Sequence, residues 1–314
     1  MELIAKKKQR HQYCAKAFGN EAKRLDNRDR ALRQMMNSRS FTCDDIAFLR
    51  DKARLIRKDI IEMIHNVQSG HPGGSLSAVE IVTSLYFHVM NIDPRNPNWE
   101  KRDRFILSKG HTCPVLYAAL IERGILSPSH LSTLRKTGSL LQGHPGINTP
   151  GVDMPSGSLG NGLAVGIGMA LSARMNRQNY RVYVLMGDGE CQEGMVWEAA
   201  MAAAHHNVDN IIAIVDSNKL QIRGRVEAVL SLGAILDKWR SFGWHTIEID
   251  GNDMEQVLQA FEAAAGIGKP VVIIANTIKG KGISFMEGDP EWHGKAPNDE
   301  QTAQAIRELG LEAM

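Results

Sequence analysis

Two apolar segments, each followed at once by polar, oxygen-bearing residues, place the strongest constraint on the fold of this chain. The first segment ends in Gly187-Asp188-Gly189, and Asn218 follows the second segment thirty residues after Asp188. Adjacent parallel strands bring the loops at their carboxyl ends together at one edge of a sheet. The spacing therefore predicts two neighbouring parallel strands joined by a helix, with Asp188 and Asn218 close together.

Alternating strand-like and helix-like segments extend this pattern along most of the chain. Apolar runs of strand length lie at residues 105–107, 181–186, 211–215, 246–249 and 271–276. Segments of helical pattern lie at residues 44–66, 76–90, 113–123, 161–175, 193–206 and 254–265. The alternation predicts an α/β fold, a doubly wound and mainly parallel sheet flanked by helices, with ligand-binding loops beyond the carboxyl ends of the strands.

The composition is that of an ordinary globular protein and excludes several other classes. With 43% hydrophobic and 23% charged residues, neither a disordered nor a collagen-like chain is expected. The sequence contains no run of about 20 apolar residues, so no membrane span is expected. Because the four cysteines form no Cys-x-x-Cys pair, we expect a cytoplasmic protein without structural zinc or disulfides.

The amino-terminal part of the chain is more basic than the rest. The first 50 residues carry 12 Lys+Arg and 6 Asp+Glu, a net charge of +6, whereas the whole chain has +2. Residues 1–42 are predicted to form a basic, partly helical extension. A basic arm can bind nucleic acid, but the aromatic side chains that would stack on bases are nearly absent, so no nucleic-acid partner is expected.

The residues after the two apolar segments predict a metal–phosphate site. The Asp188 carboxylate and the Asn218 side-chain carbonyl are hard oxygen ligands that suit Mg²⁺, with Ca²⁺ or Mn²⁺ as substitutes. A backbone carbonyl from Leu220 would add a third protein ligand, and phosphate oxygens would take other positions. Gly189 has no side chain, so a phosphate can approach backbone N–H groups near the start of the next helix.

Gly-Asp-Gly followed some thirty residues later by Asn is the signature of thiamine diphosphate enzymes, and other motifs narrow the resemblance. Over about residues 50–300 the chain is similar to the amino-terminal half of transketolase, the half that holds the diphosphate. The resemblance implies the thiamine diphosphate-binding fold for residues 43–314. It rests on Ser69-Gly-His-Pro-Gly73, Leu107-Ser-Lys-Gly-His111, Gly143-His-Pro145, Gly157-Ser-Leu-Gly160, Gly187-Asp-Gly-Glu-Cys-Gln-Glu-Gly194, Asp216-Ser-Asn-Lys-Leu220, Lys279-Gly-Lys-Gly-Ile283 and His293.

The resemblance also implies roles for individual residues. The expected metal ligands are Asp188, Asn218 and the Leu220 carbonyl. The expected contacts with thiamine diphosphate come from His111, Gly157, Ser158, Leu159, Gly187, Asp188, Gly189, Glu190, Asn218 and His293. The expected catalytic residues are His71, His111, His144, His293 and Glu193, the last matching an acidic residue that links two active sites across a subunit interface. Imidazoles that titrate near neutrality would suit the proton transfers of the reaction.

The activity implied is ketol transfer, in which a two-carbon glycolaldehyde unit passes from a ketose phosphate to an aldose, as in pentose phosphate metabolism. In the family a second domain binds the aminopyrimidine ring and supplies the Glu that activates the cofactor. No such domain follows His293 before the sequence ends at Met314. We therefore expect the amino-terminal subunit of a split transketolase, in a heterotetramer whose carboxyl-terminal subunit completes each site.

The sequence leaves three alternatives open. The α subunit of a two-subunit 2-oxo acid dehydrogenase and deoxyxylulose-phosphate synthase share the Gly-Asp-Gly…Asn pattern, but the loops around His71, His111 and His144 favour transketolase. A non-catalytic, cofactor-binding relic is the third alternative. The presence of both Asp188 and Asn218 argues against it.

Overall fold

A computed structural model describes residues 41–222 and 224–311. The chain divides into two units between Ser40 and Phe41, close to the predicted boundary after residue 42. The predicted extension lies outside the described residues except for Phe41 and Thr42, so its basic, partly helical character stays a prediction. The fold described below is that of the second unit.

Seven strands occur among the described residues, five of them in one parallel sheet. They are β1 (Arg104–Leu107), β2 (Val182–Gly187), β3 (Ile211–Ser217), β4 (Leu220–Gln221), β5 (Gly224–Arg225), β6 (His245–Asp250) and β7 (Val271–Asn276). The main sheet has the order β1-β2-β3-β7-β6, and all its neighbouring strands are parallel. Strands β4 and β5 form a small antiparallel hairpin. The loops after β1, β2, β3 and β7 therefore lie side by side at one edge of the sheet.

Helices cover both faces of this sheet, as predicted for a doubly wound fold. They are α1 (Cys43–Val67), α2 (Pro72–Leu76), α3 (Val79–Ser84), α4 (Cys113–Glu122), α5 (Asn161–Met175), α6 (Gly194–His205), α7 (Val226–Leu230), α8 (Ile235–Ser241), α9 (Met254–Ala265) and α10 (Asp299–Glu308). One hydrophobic core lies between one face of the sheet and helices α1, α2, α3, α4 and α9. A second core lies between the other face of the sheet and helices α5, α6 and α8. Successive residues of a strand point to opposite faces, so Leu185 of β2 enters the first core and Val184 enters the second. The predicted α/β fold is confirmed.

The predicted helix over residues 76–90 is the main local difference from the sequence pattern. The chain instead forms α2, α3 and a π-helical turn at Leu85–Val89. The break follows from Ser77, whose hydroxyl bonds to the Gly74 carbonyl at 3.1 Å and to the Asp216 carboxylate at 2.5 Å. A serine side chain that bonds locally in this way competes with regular helix geometry.

Other differences lie at the ends of elements and in short helices. α1 begins at Cys43, with Thr42 as its N-cap in a capping box with Asp45, one residue before the predicted start. The short helices α7 and α8 and the carboxyl-terminal helix α10 are not among the predicted segments. Within the part of the chain that the structure describes, no helix has the length and apolar character needed to cross a bilayer.

Candidate active site at the carboxyl edge of the sheet

The three predicted metal ligands lie on two adjoining turns, after β2 and after β3. The Asp188 carboxylate links the two turns, because its Oδ2 accepts a hydrogen bond from the Lys219 N–H at 2.6 Å. Its Oδ1 accepts one from the Gly189 N–H at 2.8 Å. On the second turn, Asn218 Oδ1 accepts a hydrogen bond from the Leu220 N–H at 3.1 Å. The parallel pairing of β2 with β3 thus brings Asp188 beside Asn218 and Leu220, as the spacing predicted.

These oxygens fit a hard divalent cation. Each oxygen of Asp188 accepts one backbone hydrogen bond, which leaves lone pairs for a metal ion. Burial, and secondarily the nearby Asp216 carboxylate, raises the pKa of Asp188 to about 6. Among residues 41–222 and 224–311 no group of three or more His, Cys, Asp and Glu side chains could hold a metal ion. One carboxylate with an amide and a peptide oxygen is a donor set that suits a hard cation whose other positions are taken by phosphate or water.

Glu190 holds neighbouring loops together by its side chain. It is 3% exposed, and its Oε1 accepts hydrogen bonds from the Gly160 N–H at 2.9 Å and from the Ser108 hydroxyl. Its Oε2 accepts a further bond from the Gly187 N–H at 3.1 Å. The carboxylate is engaged by three loops, so any contact of Glu190 with the predicted cofactor would come from its backbone.

Glycine allows close approach at two turns beside these loops. A Cβ atom on Gly189 would lie 2.7 Å from Gln221 Oε1, and one on Gly160, whose φ is +83°, would lie 2.7 Å from Glu193 Cβ. Glu193 is exposed at the start of α6. The structure therefore puts this predicted catalytic residue at the surface beside Gly160.

The predicted cofactor loop around Gly157 faces one of the predicted histidines. Gly157 has a φ of +153°, and a Cβ atom there would lie 3.2 Å from His144 Cδ2. The adjacent Ser158 and Leu159 are exposed, Leu159 at 38%. His144 thus lies against this exposed loop.

Three of the four predicted histidines form a cluster. The ring centroids of His71 and His111 are 5.1 Å apart, those of His71 and His293 are 5.3 Å apart, and those of His111 and His293 are 5.4 Å apart. His144 stands beside Gly157, close enough for its charge to depress the pKa of His71 and of His111. Segments more than 200 residues apart in sequence therefore bring their imidazoles to one place.

The expectation that these imidazoles titrate near neutrality is wrong for this structure. Burial is the largest cause, and it lowers the pKa of His71 to about 4, of His111 to about 2 and of His293 to about 4. Nearby cations and the other rings lower these pKa values further, because buried like charges repel. The three imidazoles are therefore neutral at pH 7.

Lys279 belongs to this site, although no role was predicted for it from the sequence. It is 1% exposed, and its Nζ lies 3.0 Å from His293 Nδ1. Burial, and then the charge of Lys109, lowers the pKa of Lys279 to about 8. An ammonium donor at Nδ1 leaves the ring proton of His293 on Nε2. The sequence feature that could have identified Lys279 is its position in the motif Lys279-Gly-Lys-Gly-Ile283, in which no residue was given a role.

Comparison with known proteins identifies the family of this site. The sequence profile described as "Transketolase, thiamine diphosphate binding domain" matches residues 49–314. The chain belongs to the transketolase family. The family identification made from the motifs is confirmed, and with it the expected reaction type, ketol transfer with thiamine diphosphate. The other two classes of thiamine diphosphate enzyme are set aside.

Transketolases related to this chain include separate subunits as well as longer chains. An apulose-4-phosphate transketolase subunit of Phocaeicola vulgatus is 44% identical over 254 residues, which cover 81% of this chain and 90% of that protein. The 6-deoxy-6-sulfo-D-fructose transketolase subunit SqwG of Clostridium sp. is 44% identical over 266 residues, which cover 84% and 97% respectively. Human transketolase is 40% identical over 265 residues, which cover 83% of this chain but 42% of the human protein.

Solved transketolases share the fold. The enzyme from Campylobacter jejuni superposes with a TM-score of 0.81 at 33% identity, over 84% of this chain and 43% of that one. The enzyme from Leishmania mexicana gives a TM-score of 0.79 at 32% identity, over 83% and 41%. The chain thus spans about two fifths of the length of these solved transketolases.

Proposed function

We propose that this chain is the subunit that binds the diphosphate and the metal ion in a two-subunit transketolase. The observation that carries the proposal is the position of the Asp188 turn and the cluster of His71, His111 and His293 at one edge of the sheet. Family membership gives the reaction type. The relatives named as subunits support the division into two chains, because the matches cover 90% and 97% of their own lengths.

The metal ion, Mg²⁺ in the first instance, would be held by Asp188, Asn218 and the Leu220 carbonyl. The diphosphate would lie against Gly189 and the buried Lys279, because one offers backbone N–H groups and the other a positive charge. When bound, thiamine diphosphate supplies a thiazolium ring that serves as nucleophile and electron sink. The chain's own task is to hold the diphosphate end and to exclude water from it.

The imidazoles of the cluster would move protons at the substrate. His71, His111 and His293 are neutral at pH 7 because their pKa values are lowered by burial. A neutral imidazole can take the proton of a donor hydroxyl and return it to a product oxygen. Lys279 would hold His293 in the tautomer with its proton on Nε2.

The partner would be a carboxyl-terminal subunit that carries the pyrimidine-binding domain and the activating Glu. Four large apolar side chains on and before α5 and α6 are exposed and support an interface there: Leu159 at 38%, Val165 at 37%, Met195 at 43% and Met201 at 52%. Clusters of exposed apolar side chains mark contact surfaces. Glu193 lies at the start of α6, where it would meet the second active site of a heterotetramer with two of each subunit.

The substrates would be sugar phosphates, a ketose donor and an aldose acceptor, as in pentose phosphate metabolism. Two of the relatives are named for apulose 4-phosphate and for 6-deoxy-6-sulfo-D-fructose. Both names describe anionic sugars, which supports this class of substrate. A cytoplasmic location is consistent with cysteines that form no pairing motif.

Reconstitution tests the proposal. The purified chain would be assayed for ketol transfer from xylulose 5-phosphate to ribose 5-phosphate with Mg²⁺ and thiamine diphosphate, alone and together with a separately expressed transketolase pyrimidine-binding subunit from the same organism. We expect turnover only with both subunits. Full turnover by the chain alone would contradict the division of the site. Binding of thiamine diphosphate without turnover, even in the presence of the partner, would favour the non-catalytic, cofactor-binding relic.

A further inference from the structure

One carboxylate beneath the candidate metal turn binds residues from several loops at once. Asp216, in β3, is 0% exposed. Its Oδ2 accepts a hydrogen bond from the Ser77 hydroxyl at 2.5 Å and forms an ion pair with Lys109 Nζ. Its Oδ1 accepts a hydrogen bond from the Thr277 hydroxyl. Both oxygens of the carboxylate are therefore engaged inside the protein, and its charge is matched by the Lys109 ammonium.

Each of these partners stands beside a residue of the candidate site. Ser77 follows α2, the helix for which His71 is the N-cap. Lys109 stands two residues before His111, and Thr277 two residues before Lys279. These three segments come from distant parts of the sequence, and Asp216 is the residue that all three contact.

Two further contacts tighten the arrangement. Lys109 Nζ also donates to the Gly74 carbonyl at 2.8 Å, so the ammonium ties the β1 loop to α2 as well as to β3. Asn218 Nδ2 lies 3.4 Å from both Ser77 Oγ and Asp216 Oδ2. The amide of the predicted metal ligand Asn218 is thus in contact with the same network. A buried, hydrogen-bonded ion pair of this kind fixes the relative position of its segments.

We propose that Asp216 and Lys109 are positioning residues, a buried ion pair that holds the loops of His71, His111, Asn218 and Lys279 at the spacing that thiamine diphosphate and its metal ion require. This inference rests on the proposed function, since it assigns the framework of that same site. It differs from a purely stabilising role in one respect. Loss of the pair should loosen all four loops together, even in a variant whose overall stability is intact.

The test compares single and double variants of the full chain. Asp216→Asn or Lys109→Met alone leaves a buried charge without its partner and should lower the unfolding midpoint. The double variant D216N/K109M removes both charges, and replacement of a whole buried pair is often neutral for stability. Hydrogen–deuterium exchange would be followed in the segments 71–78, 108–113, 216–221 and 276–283, with affinity for Mg²⁺-thiamine diphosphate measured by calorimetry on the same samples.

We expect the double variant to recover the unfolding midpoint while exchange in all four segments becomes about tenfold faster and cofactor affinity falls about tenfold or more. Recovery of stability with unchanged exchange would overturn the inference. A wild-type chain that binds no thiamine diphosphate, alone or with its partner, would instead refute the proposed function. The exchange result would still decide whether the pair positions the four loops.

Two further variants keep the test decisive if the double variant does not fold. Ser77→Ala and Thr277→Val each remove one hydroxyl from Asp216 without leaving a buried charge unpaired. Each should speed exchange in segment 216–221 as well as in its own segment. A change confined to the substituted segment would count against the inference.

The chain offers a matched control in a second buried ion pair. Arg102 donates to both oxygens of Asp153, at 2.7 and 2.9 Å, and neither side chain is more than 9% exposed. The double variant R102M/D153N should loosen the loop around Asp153 and leave the four segments protected. Equal loosening of the four segments in this control would show that any buried pair has the effect, and would overturn the assignment.

Discussion

Two aspartates at the ends of neighbouring strands have opposite surroundings. Asp188 and Asp216 are both buried, at 4% and 0% exposure, and lie after β2 and at the end of β3. The Asp216 carboxylate accepts hydrogen bonds from two hydroxyl groups and from the ammonium of Lys109. Among the described residues, the Asp188 carboxylate accepts hydrogen bonds from two backbone N–H groups. The same residue type therefore belongs to the framework in one turn and is available to a ligand in the other.

The difference shows that the partners of a buried carboxylate, more than its burial, decide what it can do. A buried carboxylate whose charge is already matched by an ammonium gains little from a second cation. The pKa of Asp188 is raised by burial and by the nearby Asp216, so the ionised form is costly until a cation arrives. Changes at the two positions should therefore have different kinds of effect.

The largest effect on folding is expected from Asp216→Asn. The substitution leaves the Lys109 ammonium buried without a counter-ion, and breaking a buried pair in this way costs about 3–5 kcal/mol. Urea denaturation followed by tryptophan fluorescence would measure the loss. A variant within about 1 kcal/mol of the wild type would show that the pair contributes no more than an exposed one.

Asp188→Ala should act on the ligand and leave the fold largely intact. Removal of the single carboxylate of the metal turn should weaken Mg²⁺-dependent binding of thiamine diphosphate by more than about 100-fold, measured by calorimetry. The unfolding midpoint should change little, because the substitution also removes a costly buried charge. Asp188→Asn is the control that preserves the shape and one side-chain oxygen. Normal cofactor binding by Asp188→Ala would remove Asp188 from the metal site.

His111→Ala tests the same distinction, between residues of the framework and residues that act on a ligand, within the histidine cluster. Loss of one imidazole should lower the turnover number for ketol transfer by about 100-fold in the complex with its partner, with the far-ultraviolet circular dichroism of the chain unchanged. An unfolded variant would assign His111 to the framework, with Asp216, rather than to the reaction.

A further expected effect is a dependence of stability on pH. The folded-state pKa values of His71 and His293 are lowered to about 4, below the value of about 6.5 in an unfolded chain. Protonation therefore favours the unfolded state, so stability should be retained above pH 6.5 and lost as the pH falls toward 4. Urea midpoints between pH 7 and pH 4 would measure the loss, which should be shallower for His293→Gln. An identical slope in that variant would exclude His293 as a source.

The proximity of Asp188 and Asn218 could be predicted from sequence because it depends on two adjacent strands. Each residue directly follows an apolar run, and consecutive parallel strands with a helix between them usually pair. The histidine loops were found from the resemblance, which rests on short motifs. For both features, the sequence pattern that predicts them lies within short stretches of the chain.

The framework of the site could not be predicted because it depends on strand order. β7 lies between β3 and β6, and this insertion brings Thr277 to Asp216 and Lys279 to the cluster. No periodicity in the sequence encodes that order. Ser77 was missed for the related reason that residues 76–90 looked like one helix, and Lys109 and Lys279 carried no local sign of burial.

We propose above all that this chain holds the diphosphate end of thiamine diphosphate and relies on a partner for activation. The most direct test is proton–deuteron exchange at C2 of the thiazolium ring, measured with the purified chain, Mg²⁺ and thiamine diphosphate, with cofactor occupancy determined in the same sample. We predict exchange no faster than in free thiamine diphosphate although the cofactor is bound. Accelerated exchange by the chain alone would contradict the claim, because the activating group would then lie within this chain.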